Sequence, residues 1–372
     1  MPETSTGRRH ATRTGRRGRR AWELRFGSIR GIPIRIHITL LLLFVWIAVT
    51  YWISGLGPRG TISGVLLLAL VFVTIVLHEL THALVAARFG VRTRDILLLP
   101  IGGIASLERI PDRPGQELAI SLAGPALNLV IAGLLWVGLA LAGSGFALAT
   151  ATAGEAFALQ LMWINVVLAA FNLIPAFPMD GGRALRALLS YVTPRERATA
   201  IAAGIAQGIA VLLGLIGLTY NPWLALIAVF LWFAARRELA MVRLRGALAG
   251  VPASAAMQGH VEVIRADEPL ATAAGLLVHN GASAIPVILN GAPVAALTRE
   301  DVAIGLEAAG PEAPVTEAPH HQVVTIAPSE PLDRVLDRLE SDAVAVVVDE
   351  DVPIGVVTAE QLASYVALQP RA

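Results

Sequence analysis

The 372-residue chain has no cysteine and no lysine, and only 15% of its residues are charged against 55% hydrophobic. Without cysteine it makes no disulfide, no cysteine-ligated zinc or iron–sulfur site and no thiol nucleophile. Any metal must therefore rest on His, Asp or Glu. Without lysine, all 29 basic residues are arginine. Soluble proteins carry roughly 45–50% apolar and about 25% charged residues. The shortage of charge here excludes one large soluble core and points to segments solvated by lipid. The net charge of +1 says little, because charge is unevenly placed along the chain. Also missing are a Gly-x-Ser-Gly and a Gly-x-Gly-Asp motif, so the chain carries neither of these serine-nucleophile and paired-aspartate signatures.

What is present is a series of long apolar runs. A span needs about 20 residues, since ~1.5 Å per residue must cover ~30 Å of hydrocarbon. Six runs are expected to be spans: 36–56, 61–87, 118–142, 156–174, 199–218 and the short 222–235. Arginine placement is an independent test. Ten arginines precede the first run, five follow the second, four the fourth and four the sixth, whereas the opposite loops hold only Arg59. The positive-inside rule then puts both termini on the cytoplasmic side of a multi-pass plasma-membrane protein. Residues 1–25, with the Arg8–Arg20 cluster, are expected to form a disordered basic tail near anionic lipid. A full-length span follows, which argues against a cleaved signal, and no direct nucleic-acid partner is expected.

After Arg245 the composition changes to short β-branched runs broken by Asp, Glu, Pro and Gly, and a repeat appears. Glu268-Pro269-Leu270 recurs as Glu330-Pro331-Leu332, and Leu297-Thr298-Arg299-Glu300-Asp301 as Val357-Thr358-Ala359-Glu360-Gln361. Each copy reads strand, helix, strand, strand, helix. The pair resembles tandem CBS domains, at 250–310 and 311–372. That resemblance implies an adenine nucleotide at Thr298 and Asp301, or dimerisation through the pair. Gln361 stands where the second copy would need its Asp.

The second run carries His78-Glu79-Leu80-Thr81-His82. Residues four apart share a helix face, so both imidazoles reach one Zn²⁺ while Glu79 reaches a nearby water. Three ionisable groups within five residues of a lipid-solvated helix are costly and need a partner. A hydrolytic zinc site usually has three protein ligands, and Asp180, just past the fourth run, lies on the required side. Pro175 and Pro178 exclude a regular helix before it, and Gly181-Gly182 permits a sharp turn. In the third run, Asn128 lies ~15 Å from the cytoplasmic end and the two histidines ~8–14 Å from theirs. Gly124 permits close helix approach and Pro125 frees a carbonyl, while Asn128 is placed to bond substrate.

His-Glu-x-x-His, Ser-x-Ala-Gly-Pro-x-x-Asn (from Ser121) and Asn-x-x-Pro-x-x-x-x-Asp-Gly-Gly (from Asn172) together resemble the site-2 protease family. The resemblance covers residues 26–249. It implies a polytopic α-helical membrane protein of about six transmembrane helices with small membrane-associated strands, followed by the α/β CBS pair. It further implies a zinc intramembrane endopeptidase with one Zn²⁺ on His78, His82 and Asp180, and Glu79 as general base. Asn128 and Asn172 are then polar residues near the substrate. The stretches around Phe26–Ile34 and Leu98–Glu108 are expected to be strands, the latter pairing through Gly102 and Gly103 with an unwound substrate. The implied substrate is a single-span regulatory protein, such as an anti-sigma factor or a membrane-tethered transcription factor. Two rivals remain at this point: a metalloprotease cutting juxtamembrane or soluble segments, and a CBS-regulated transporter or channel with a metal site.

Overall fold

The computed structural model describes residues 22–107, 111, 113–143, 153–339 and 343–368. The basic cluster Arg8–Arg20 lies outside the described residues. Two compact units divide at Arg243/Leu244.

In the first unit, β1 (Glu23–Ile29) and β2 (Ile32–His37) form a hairpin that runs directly into α1 (Ile38–Ile53). The helix α2 (Gly57–Arg88) follows, with Pro58 in its first turn, and stops at Gly90, whose positive φ of 72° ends it. Next come β3 (Thr93–Leu99), β4 (Gly102–Leu107), α3 (Pro114–Leu141) and α4 (Ala153–Asn172). The unit closes with α5 (Asp180–Leu189), α6 (Arg195–Tyr220) and α7 (Pro222–Leu248), which runs on into the second unit. Among the described residues, α2, α3 and α6 are long and apolar enough to cross a membrane, and α1 and residues 156–172 of α4 are shorter apolar helices.

Both expected strand stretches exist, but they belong to one sheet, β1-β2-β3-β4, with β2 and β3 parallel. Arg35 on β2 bridges Glu23 of β1 and Asp95 of β3. The apolar face, Ile34, Ile96 and Leu98, packs on Leu40, Phe72 and Leu80. The sheet therefore rests against the middle of α2, at the level of its polar motif.

Two expectations are corrected. The sixth run does not end at Ala235: α7 continues through Arg236 and Arg237 to Leu248. Charge ends an apolar run but does not break a helix. Gly181-Gly182 does not form a turn either; both residues lie in the first turn of α5. Their function is close approach. A Cβ on Gly181 would come 2.3 Å from the Ile174 carbonyl oxygen, and one on Gly182 would come 2.6 Å from the Ala176 backbone. The segment before α5 sits on a small-residue face of α6, where Ala202, Ala203, Ala206 and Ala210 leave room for Ala176, Phe177 and Met179.

The second unit shows the expected repeat: β6 (Ile264–Arg265), α8 (Leu270–His279), β7 (Ala284–Leu289), β8 (Ala292–Thr298) and α9 (Arg299–Ala309). The second copy is β9 (Gln322–Ile326), α10 (Leu332–Arg338), β10 (Ala343–Asp349), β11 (Val352–Val357) and α11 (Ala359–Leu368). The copies interlock. The short β5 (Gln258–Gly259), which precedes copy one, pairs with β11 of copy two. Pro252 likewise bridges Pro331, and Pro314 of the connecting segment bridges Pro269.

Candidate metal centre

The motif in α2 turns one face toward α3 and α5. His78 and His82, four residues apart, point their Nε2 atoms at one another at 3.0 Å, and each lies 3.1 Å from Asp180 Oδ2. All three residues are buried. The outer ring nitrogens are already engaged. His82 Nδ1 donates to the Ile120 carbonyl at 2.6 Å, and His78 Nδ1 donates to Asn128 Oδ1 at 2.8 Å. With the Nδ1 protons placed there, two bare Nε2 lone pairs face a carboxylate. Three acceptors that close repel one another unless a cation lies among them. A tetrahedral ion ~2.0–2.1 Å from each donor sets donor separations of roughly 3.3 Å, close to the 3.0–3.1 Å observed. The donor set and its spacing thus fit zinc, and these three form the single such cluster found among the described residues.

Local sequence explains the room. A Cβ on Gly124 of α3 would stand 2.3 Å from His82 Nε2 and 2.5 Å from His78 Nε2. Any larger residue would occupy the imidazole faces. Pro125, one position on, lacks an N–H and leaves the Ser121 carbonyl without its helical donor, yet the carbonyl that reaches His82 is that of Ile120. Glu79 lies on the neighbouring face, half-buried, against β4: a Cβ on Gly103 would meet its Cγ at 2.7 Å.

A family model for Peptidase family M50 matches residues 66–160 and 146–217. Zinc metalloprotease MJ0392 of Methanocaldococcus jannaschii is 35% identical over 272 residues, 73% of this chain and 76% of that protein. The chain belongs to peptidase family M50. Stage IV sporulation protein FB of Bacillus subtilis is 30% identical over 168 residues, 44% of this chain and 51% of its own. Among solved structures, Site-2 Protease from Methanocaldococcus jannaschii aligns with 38% identity over 59% of this chain and 95% of that one, at a TM-score of 0.44. The CBS domain model matches residues 253–307 and 315–368. This M50 member is thus a zinc metalloendopeptidase of the site-2 protease family that carries CBS domains.

Of the residues singled out from sequence, His78, His82, Asp180 and Asn128 meet in the M50 site, and Glu79 meets Gly103 beside it. Asn128 turns its carbonyl oxygen to His78, and its buried Nδ2 has no partner among the described residues. Asn172, the last residue of α4, is half-buried and stands apart from the hydrogen bonds joining the donors. Gly102 opens β4 with a φ of 137°. No sequence signal marks the Ile120 carbonyl or the burial of Arg186 among carboxylates. Arg186 and Arg195, topological charges by position, both pair with Glu117.

In the C-terminal unit, Asp301 is committed to its own helix. Its Oδ2 accepts from Thr298 N at 2.8 Å and Thr298 Oγ1 at 2.6 Å, a capping box, and pairs with His321 Nε2 at 3.1 Å. Burial alone would raise this carboxyl, but the hydrogen bonds from His321 and Thr298 outweigh it and hold it below the usual carboxylate value. Gln361 caps α11 in the same way through Thr358. Its Nε2 then reaches back to Gln258 Oε1 at 3.0 Å and Ser283 Oγ at 2.9 Å, so the amide spans both copies.

Proposed function

We propose that this metalloendopeptidase cuts peptide bonds within the bilayer, in a transmembrane segment of a single-span regulatory membrane protein. The observation that carries the reading is the position of the donor cluster. His78 and His82 lie some ten residues or fewer from the end of a 32-residue apolar helix, beside the edge strand β4. A helical peptide bond has its carbonyl engaged and must be extended before attack, and an edge strand offers pairing groups to such a segment. A chain of six spans with both termini cytoplasmic, the reading of the arginine distribution, opens the site toward cytoplasmic water.

His78, His82 and Asp180 would hold the zinc, with Asn128 and the Ile120 carbonyl fixing the ring orientation of the two histidines. Zinc supplies Lewis acidity there, polarising the scissile carbonyl and lowering the pKa of water toward ~7. Glu79 accepts the proton that water loses on attacking the carbonyl carbon and delivers it to the leaving amine. The buried Nδ2 of Asn128 is a donor available to a substrate carbonyl, and Gly103 keeps β4 close enough for substrate to lie over Glu79.

Glu79→Gln tests this directly. The variant keeps its zinc and fold and loses peptide cleavage by at least ~100-fold, since general-base catalysis is worth 10²–10⁴. Retained turnover removes Glu79 from that role, and cleavage of soluble peptides in preference to a membrane-inserted substrate overturns the intramembrane reading. The C-terminal pair is assigned to regulation or dimerisation, with Thr298 and Asp301 offered to an adenine nucleotide. Calorimetry on the full chain with ATP and AMP decides the ligand; absence of binding leaves dimerisation.

A further inference from the structure

We propose that Arg186 is a positioning residue for Asp180: an ionic network centred on the buried Arg186 holds α5 where its first residue meets His78 and His82. The inference rests on the metal reading above. Asp180 begins a helix of only ten residues, which needs outside support to hold its direction. Arg186, six residues further on, is 2% exposed and is the largest fully buried side chain described.

Its guanidinium donates Nε and Nη2 to Glu117 Oε1 at 2.8 and 2.5 Å and Nη1 to Glu238. Arg195 joins this network, giving Nη2 to Glu117 Oε2 at 2.7 Å and Nη1 to the Pro111 carbonyl at 3.0 Å. Arg186 and Glu117 are the buried pair of this set, and Glu238 and Arg195 join them from its part-exposed rim. They come from α3, α5, α6 and α7; the Arg186 guanidinium itself ties α5 to α3 and α7, and Glu117 carries the link on to Arg195 of α6. The same group lies 5.2 Å from the centroid of the Phe177 ring. Phe177 belongs to the segment whose backbone Gly181 and Gly182 approach closely. The approach to Asp180 is therefore gripped by backbone contact at one end of α5 and by the ionic network at the other. Among the described hydrogen bonds and ion pairs, none joins Arg186 or Glu117 to the metal donors, so the effect of Arg186 on them is one of geometry.

A lysine carries the same charge but lacks the fork that serves two carboxylates at once, so Arg186→Lys separates charge from geometry. The full-length protein in detergent is loaded with Zn²⁺ and titrated with a chelator, and the Co²⁺-substituted form is examined by visible absorption alongside thermal unfolding. Arg186→Lys and Arg186→Met are expected to bind metal ~10–100-fold more weakly, the range for groups that orient ligands, with an altered cobalt spectrum. Arg243→Gln, which breaks only an exposed pair with Glu196, is expected to match wild type. If Arg186→Met fails to fold, Glu238→Gln decides, with a several-fold loss of affinity expected. Variants that melt earlier but keep wild-type metal affinity and cobalt spectrum below their transition overturn the proposal. A wild-type protein that binds no metal at all overturns the metal reading, and the proposal with it.

Discussion

Asp180 and Asp301 are both buried acids within 3.1 Å of histidine Nε2 atoms, yet they sit in opposite chemical situations. Around Asp301 the donors are plentiful: a backbone N–H, a hydroxyl and an imidazole satisfy one oxygen. Around Asp180 the two imidazoles have spent their Nδ1 protons on Ile120 and Asn128 and present lone pairs. A satisfied carboxylate caps a helix; an electron-rich convergence asks for a cation. Proximity of acid and histidine does not distinguish the two. The partner of the far ring nitrogen does.

Asp180→Ala should sharpen that contrast most. It is expected to take zinc content from one per chain to near none and to abolish cleavage, because two histidines leave the coordination shell open. Metal analysis of purified protein checks it. Gly124→Ala is the next largest, since its Cβ must displace both imidazoles; loss of most bound zinc with an intact helical circular-dichroism spectrum is expected. Asn128→Ala leaves His78 Nδ1 without its acceptor and should weaken metal binding ~10–100-fold, measured by chelator competition. Asp301→Asn should leave zinc content and cleavage of a metal-loaded sample untouched while costing about 1.5–3 kcal/mol, because a neutral amide replaces the charged acceptor of the bonds from Thr298 and His321.

The pH behaviour of Asp301 has a definite sign. The folded carboxyl titrates below its unfolded value. Its contribution is therefore present above about pH 4 and lost as pH falls through the folded value. Thermal unfolding of the C-terminal transition against pH, with and without Asp301→Asn, checks this; an unchanged acid limb contradicts it.

Much of the membrane unit was legible in advance. The two histidines share a helix face by local geometry alone, and the first five apolar runs are helices with ends shifted by a few residues, whereas the sixth continues to Leu248. The strands around Gly31 and Gly102 were legible too, from their turn glycines. Their joining into one sheet was not, because β2 and β3 pair across the whole of α1 and α2. Gly181-Gly182 read as a turn because glycine pairs usually supply φ freedom; here they supply contact distance instead. Arg186 read as a cytoplasmic charge because a sequence shows charge and not its burial.

What the sequence determined by itself is the chemistry within reach of one helix turn: which donors exist, that cysteine is excluded, and that His78, Glu79 and His82 lie side by side. Periodicity and composition act over a few residues, so they are readable over a few residues. Only the tertiary structure decided that Asn128 turns to His78, that Ile120 lends its carbonyl to His82, that Gly103 lies on Glu79 and that Arg186 clasps Glu117 and Glu238. Each of these depends on which helix faces meet and at what depth, a property of packing between segments far apart in the chain.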